Sequence, residues 1–210
     1  MNKIKYLFTA MLLILVACGS GEAEDEIPVT PPEETSNPDE EPNPSDPATS
    51  DGKTLIVYFS WSGNTRTVAN TIQDLTGCDI VEIEVEEPYS SVYNEVTTRA
   101  RQELDNDIRP ALVTQVENID EYDTLIVGTP IWSSRLAPPV KSFLAMYDLT
   151  GKKIAPFCTH GGSGTAQSVN NIRSVCPDSE ILQSLAVSGS RVANSRNEVE
   201  RWLRTIGLIE

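Results

Sequence analysis

The sequence predicts an α/β protein, a three-layer sandwich built on a five-stranded parallel sheet. Two observations carry this. Near-continuous runs of β-branched and aromatic residues, Thr54 to Phe59 and Tyr122 to Trp132 among them, mark strands buried on both faces. Segments of helical periodicity alternate with these runs along the chain, the pattern of βαβ units joined by right-handed crossovers.

The first strand, TLIVYF, is expected at the centre of the sheet. After a turn of small residues, NTRTVANTIQDLTG places Val68, Ile72 and Leu75 on one helical face and stops at Gly77, a natural helix-ending glycine. DIVEIEV (Asp79 to Val85) alternates in polarity, as a less buried edge strand does. YNEVTTRARQEL reads as a helix and leads into an irregular connection through Pro110. YDTLIVGTPIW is a second buried strand ending in Gly-Thr-Pro, and prolines open the next helix, PPVKSFLAMYDL, where their missing N–H groups cost nothing. GKKIAPFCTHGGSG is a third buried strand running into glycines. A helix (TAQSVNNIRSVCP), the strand EILQSLAVSG and a terminal helix (SRNEVERWLRTIG) complete the series.

The first 52 residues are of another kind. Lys3 and Lys5 precede an apolar run from Tyr6 to Val16 that is short for a membrane span and ends in Leu-Val-Ala-Cys. This tetrapeptide resembles the bacterial lipobox, which implies a signal peptide over residues 1–17, cleavage before Cys18 and diacylation of its thiol. The expected location is the bacterial cell envelope, lipid-anchored on the periplasmic or outer surface. Between Gly19 and Gly52 stand eleven Asp or Glu, seven of the fourteen prolines and no Lys or Arg. Such a segment buries too little apolar surface to offset its chain entropy, so residues 18–52 read as a disordered acidic tether. The folded domain is assigned to residues 53–210.

The formal charge of -15 excludes a nucleic-acid surface, which needs clustered Lys and Arg. Twenty acidic and fourteen basic residues fall in 53–210, so the domain itself is mildly acidic. Cys78, Cys158 and Cys176 make an odd set without metal-ligand spacing, and His160 is the one histidine, so no metal site is expected. The three cysteines read as small buried hydrophobes, with one stray disulfide as the alternative.

Ligands of open parallel sheets sit at the carboxyl ends of the strands. Three unusual loops occur there: Ser60 to Thr65, Thr129 to Ala137, and Thr159 to Gly164. SWSGNT combines hydroxyls, an amide, a glycine and a helix start, an anion site that needs no lysine and suits one terminal phosphate. It lacks the Gly-Lys-Ser/Thr ending of triphosphate loops. Trp132 lies just beyond a strand end in a proline-bounded loop, where an indole either covers something flat or packs inward. THGGSG brings glycines whose backbone amides can approach a ligand edge. Together the three match a planar heteroaromatic ring with a phosphate tail.

In this order VYFSWSGNT, YNEVTTRARQE, VGTPIW, FCTHGGSG and SGSRV resemble the flavodoxin-like family of short-chain FMN proteins, across Lys53 to Leu208. The resemblance implies sheet order 2-1-3-4-5 and non-covalent FMN. It implies that Ser60, Ser62, Gly63, Asn64 and Thr65 hold the phosphate, with Trp61 near phosphate or ring. Pro130, Ile131, Trp132 and Ser133 would flank the isoalloxazine, while Thr159, His160, Gly161 and Gly162 border its polar edge. Two departures stand out. Ser133 and Ser134 follow Trp132 where many relatives have glycine, which disfavours a backbone flip toward the reduced ring by about 1 kcal/mol. His160 stands where small residues are commoner, and beside the flavin's polar edge its charge would make the potential pH-dependent.

No residue stands out as a general acid, base or nucleophile. The expected function is electron transfer to a redox partner protein, or FMN-dependent reduction of a small acceptor, by a membrane-anchored flavoprotein. A flavin-free interaction module and a hydrolase on the same fold are the alternatives.

Overall fold

A computed structural model of the protein describes residues 52–210. The expected signal peptide, Cys18 and the tether up to Asp51 lie outside the described residues.

The sheet is parallel and doubly wound. Its strands are β1 (Lys53–Tyr58), β2 (Asp79–Glu82), β3 (Tyr122–Trp132), β5 (Lys153–His160) and a divided last strand, β6 (Glu180–Ile181) and β7 (Leu185–Ser188). They lie in the order β2-β1-β3-β5, with β6 and β7 both parallel to β5. Counting the divided strand once gives the expected 2-1-3-4-5. Alternate residues of the central strands feed opposite layers. Leu55, Val57, Leu125 and Val127 join Val140 and Phe143 of α3 (Pro138–Leu144) and Ile172 of α4 (Ser168–Val175). Ile56, Ile126, Ala155 and Phe157 join Val68 and Ile72 of α1 (Asn64–Thr76) and Val199, Trp202 and Leu203 of α5 (Arg196–Thr205). α2 (Tyr93–Asp105) inserts Val96 and Ala100 beside α3.

Gly128 marks how closely the middle of the sheet is packed. A Cβ there would stand 2.2 Å from Phe157 Cζ and 2.7 Å from Tyr58 Cβ.

Four expected elements are altered. The last strand breaks after Ile181 because the Gln183 carbonyl turns to accept the Trp202 indole N–H at 2.7 Å. The edge strand β2 ends at Glu82, since the Glu84 N–H is taken by the Thr114 hydroxyl at 2.7 Å and Val85 keeps one bridge, to Leu112. The helix after Ala137 covers only Pro138–Leu144, and Tyr147 beyond it accepts the Val116 N–H at 2.8 Å. The loop after β3 is an unforeseen hairpin, in which β4 (Arg135–Leu136) pairs antiparallel with Ile131 and Trp132. Elsewhere the elements fall within a few residues of where expected, α4 being trimmed to Ser168–Val175, and the left-handed Gly77 ends α1 as read.

The three domain cysteines are unpaired, with Cys158 and Cys176 buried and Cys78 half-buried. Burial pushes the Cys158 thiol up to about 12 and that of Cys176 to about 11. Both remain protonated and act as small apolar groups.

Candidate functional site

The turn from β1 to α1 is built by local backbone geometry. Gly63 takes φ 88°, and a Cβ there would meet nothing within 4 Å, so this edge of the loop faces open space. No side chain of Gly63 can cap α1; instead Ser60 Oγ accepts the Arg66 N–H at 3.2 Å. The N–H groups of Asn64 and Thr65, which a helix cannot satisfy from within, lead the positive end of its dipole into that space. Ser62 is exposed beside them, and Asn64 is half-buried against Gly189. Thr65 is buried, and its hydroxyl bonds that of Thr159 at 2.9 Å. Arg66, the cation of the stretch, turns away into a two-point pair with Glu82 at 2.6 and 2.8 Å. The Glu82 carboxylate also accepts from the Tyr58 hydroxyl at 3.0 Å.

The second loop is held by remote side chains. Trp132 is half-buried, with Phe59 5.5 Å away at 87° and Tyr89 5.0 Å away at 77°, both edge-to-face. It therefore packs inward as well as lining the loop. Ser133 and Ser134 lie exposed at the hairpin tip with φ of 45° and 61°, the left-handed pair that a two-residue turn requires. The Ser134 carbonyl accepts the Gln167 N–H at 3.0 Å. Below the tip, Pro130 and Ile131 are half-buried, and the Pro130 carbonyl accepts from the Thr129 hydroxyl at 2.9 Å. Trp61 bridges the first loop to the segment before α2. Its indole N–H donates to the Ser90 carbonyl at 2.9 Å, and its ring lies 6.4 Å from that of Tyr93.

The third loop closes the edge. His160 ends β5 half-buried, and its Nδ1 accepts the Gly162 N–H at 2.9 Å, which places the ring proton of the neutral form on Nε2. Gly161 and Gly162 are exposed, and a Cβ on either would meet nothing. The Cys158 thiol reaches the Gly164 carbonyl at 3.7 Å, tying the turn to its strand.

All three loops lie at the carboxyl edge of adjacent strands. The Thr65–Thr159 bond, the Phe59–Trp132 contact and the Pro130–Thr159 register tie them together. A cleft of about 310 Å³ lined by Phe59, Ser60, Trp61, Arg66 and Tyr89 opens beside the first loop. A larger one, about 380 Å³, lies behind α2 around Arg99 and Arg109. Open glycines, a helix start and a half-buried indole on one edge suit a small anion joined to a flat ring. Sequence reasoning missed Phe59, Tyr89, Arg99 and Glu103 as parts of this edge. The motif YNEVTTRARQE was the available signal for the last two, but it carried no role on its own.

Comparison with known proteins agrees with this geometry. A crystal structure of a candidate flavoprotein from Bacteroides eggerthii shares 28% identity, covering 74% of this chain and 98% of that one, with a TM-score of 0.66. A second, from Bacteroides uniformis, shares 27% over 73% and 98%, also at 0.66. A flavoprotein from Lactobacillus acidophilus, solved in complex with FMN, has the same fold at 24% identity and TM-score 0.60, over 72% of this chain and 98% of that one. An NAD(P)H dehydrogenase (quinone) from Acidovorax ebreus is 31% identical over 124 residues. That match takes in 54% of this chain and 60% of the relative, so the chain spans about three-fifths of that protein's length. Residues 53–206 match the family model described as Flavodoxin, and the chain belongs to the flavodoxin family.

Proposed function

We propose that this chain is a flavoprotein that binds one FMN at the carboxyl edge of its sheet and serves electron transfer or the reduction of a small acceptor. One observation carries the reading: an anion-ready helix start, a half-buried indole and a glycine turn converge on a single edge. The residues fit the cofactor, because the first loop offers open N–H groups and hydroxyls without a cation. Ser62, Gly63, Asn64 and the Ser60 hydroxyl proton would face the phosphate. Thr65 holds the loop to β5, Trp132 walls the ring, and residues 159–162 line its polar edge. The bound flavin would supply the redox chemistry, while the chain binds it, orients it and limits its access to water.

The quinone-reductase relatives favour a small acceptor among the possible partners, and the matched length leaves their substrates as part of the proposal. Purified chain from Lys53 onward should be yellow, or its tryptophan fluorescence should be quenched by added FMN. Colourless, unquenched protein would eliminate the reading and leave the flavin-free interaction module.

The envelope location belongs to the same proposal. Its support is the Leu-Val-Ala-Cys tetrapeptide after a charged and apolar leader, and the acidic, proline-rich stretch that follows. Cys18→Ser should move the protein out of the detergent-phase membrane fraction. Unchanged partitioning would rule out the lipid anchor.

A further inference from the structure

We propose that Arg99 and Glu103 on α2 are positioning residues for the indole of Trp132, acting through Tyr89. The inference rests on the flavin reading above and assigns a task to the α2 motif.

Glu103 is 6% exposed and accepts two donors: Arg99 Nε at 2.7 Å on one oxygen and the Tyr89 hydroxyl on the other. Arg99 lies 4.0 Å from the Tyr89 ring centroid, and its Nη1 donates to the carbonyls of Glu87 at 2.8 Å and Pro88 at 3.3 Å. One arginine therefore holds the backbone just before Tyr89, covers the face of its ring and pairs with the carboxylate that fixes its hydroxyl. The ring so held presents itself to Trp132 at 5.0 Å and to Phe59 at 5.7 Å.

Energetics favours positioning over bulk stability as the use of this cluster. Desolvating the Glu103 carboxylate is costly, and a well-packed apolar group is often at least as stable in such a place. An apolar contact is indifferent to rotation, whereas a hydroxyl bonded to a fixed carboxylate sets both the direction and the height of its ring. Residues 86–92 form no regular secondary structure, so backbone ladders cannot do this for Tyr89. Burial and the adjacent Glu103 carboxylate raise the Tyr89 hydroxyl well above the ordinary tyrosine range. It stays a donor at any working pH.

The test measures FMN affinity of the full chain by fluorescence quenching, for Glu103→Gln and Tyr89→Phe, each in the Trp132 and Trp132→Ala backgrounds. With Trp132 present, each variant should weaken binding about tenfold. In the Trp132→Ala background the further loss should be below about twofold, because the group being positioned is gone. Equal losses in both backgrounds would overturn the proposal, since a merely structural role costs the same with or without the indole. A second readout needs no flavin: the near-ultraviolet circular dichroism of Trp132, taken as wild type minus Trp132→Ala, should lose intensity in both variants. An unchanged Trp132 signal also overturns the proposal. Failure of the wild type to bind FMN would refute the flavin reading, while the dichroism still decides the positioning. Tyr89→Phe removes a single oxygen, so the comparison survives if Glu103→Gln does not fold.

Discussion

The two sides of the candidate site are made in opposite ways. On the phosphate side, residues 60–65 are chain neighbours, and their shape follows from one left-handed glycine and a helix start. On the ring side, Phe59, Tyr89 and Trp132 come from three separate segments and meet only because the sheet is already built. The first side should therefore respond to changes in backbone freedom and tolerate side-chain trimming. The second should do the reverse.

The largest expected effect tests the ring side. Trp132→Ala removes two edge-to-face contacts and much half-buried apolar area. It should cost about 3 kcal/mol, the low end for loss of a large aromatic, because the indole is only partly enclosed. Chemical denaturation of the flavin-free domain reads this directly. A midpoint equal to wild type would mean that the three rings are not a packed unit.

Next in size is the backbone of the phosphate side. Gly63→Ala meets no atom, so its cost is the left-handed conformation alone, about 1–2 kcal/mol. Gly63→Asn should recover most of it, since asparagine tolerates that region. If alanine and asparagine prove equally costly, sterics rather than conformation governs the turn.

The hairpin tip mixes the two modes, because remote pairing has placed Ser133 and Ser134 at positive φ without a glycine. Ser133→Gly or Ser134→Gly should each raise stability by about 0.5–1 kcal/mol, the relief of strain less the extra chain entropy of glycine. A loss of stability would show that serine side-chain contacts, not the ladder, hold the tip.

The same division explains what could be read in the sequence. α1 with its glycine stop and the position of the three loops follow from periodicity and local turn chemistry, strand order came from the family resemblance, and all were legible. The breaks were not. Nothing near Gln183 announces that its carbonyl will turn to Trp202, nineteen residues away. Nor does Ser-Ser resemble the Asn-Gly that usually signals a two-residue hairpin. Trp132 was legible as unusual, but its partners were not, since Phe59 read as strand and Tyr89 lay between two assigned elements with no reading of its own. Arg66 sat in plain view beside the phosphate loop, yet its tie to Glu82 joins two elements that only the sheet brings together.

That tie shows that the local side also has a remote support. Glu82 links Arg66 of α1 to Tyr58 of β1, and burial, then Glu82, raises the Tyr58 hydroxyl from 10.0 to about 12. The folded chain thus holds this proton more tightly than the unfolded one. The resulting stability is complete below pH 10, falls as pH rises from 10 to about 12 and is lost above that. Tyr58→Phe has no proton to lose, so its stability should lack this alkaline decline. At neutral pH it should be less stable than wild type by about 1 kcal/mol, the net worth of one hydrogen bond. The two stability curves should then cross in the alkaline range, because a tyrosinate beside Glu82 is worse than a phenyl ring. Curves that stay parallel from neutral pH to about pH 12 would show that Tyr58 titrates alike in both states. The link from β1 through Glu82 would then add nothing to the stability of the phosphate side.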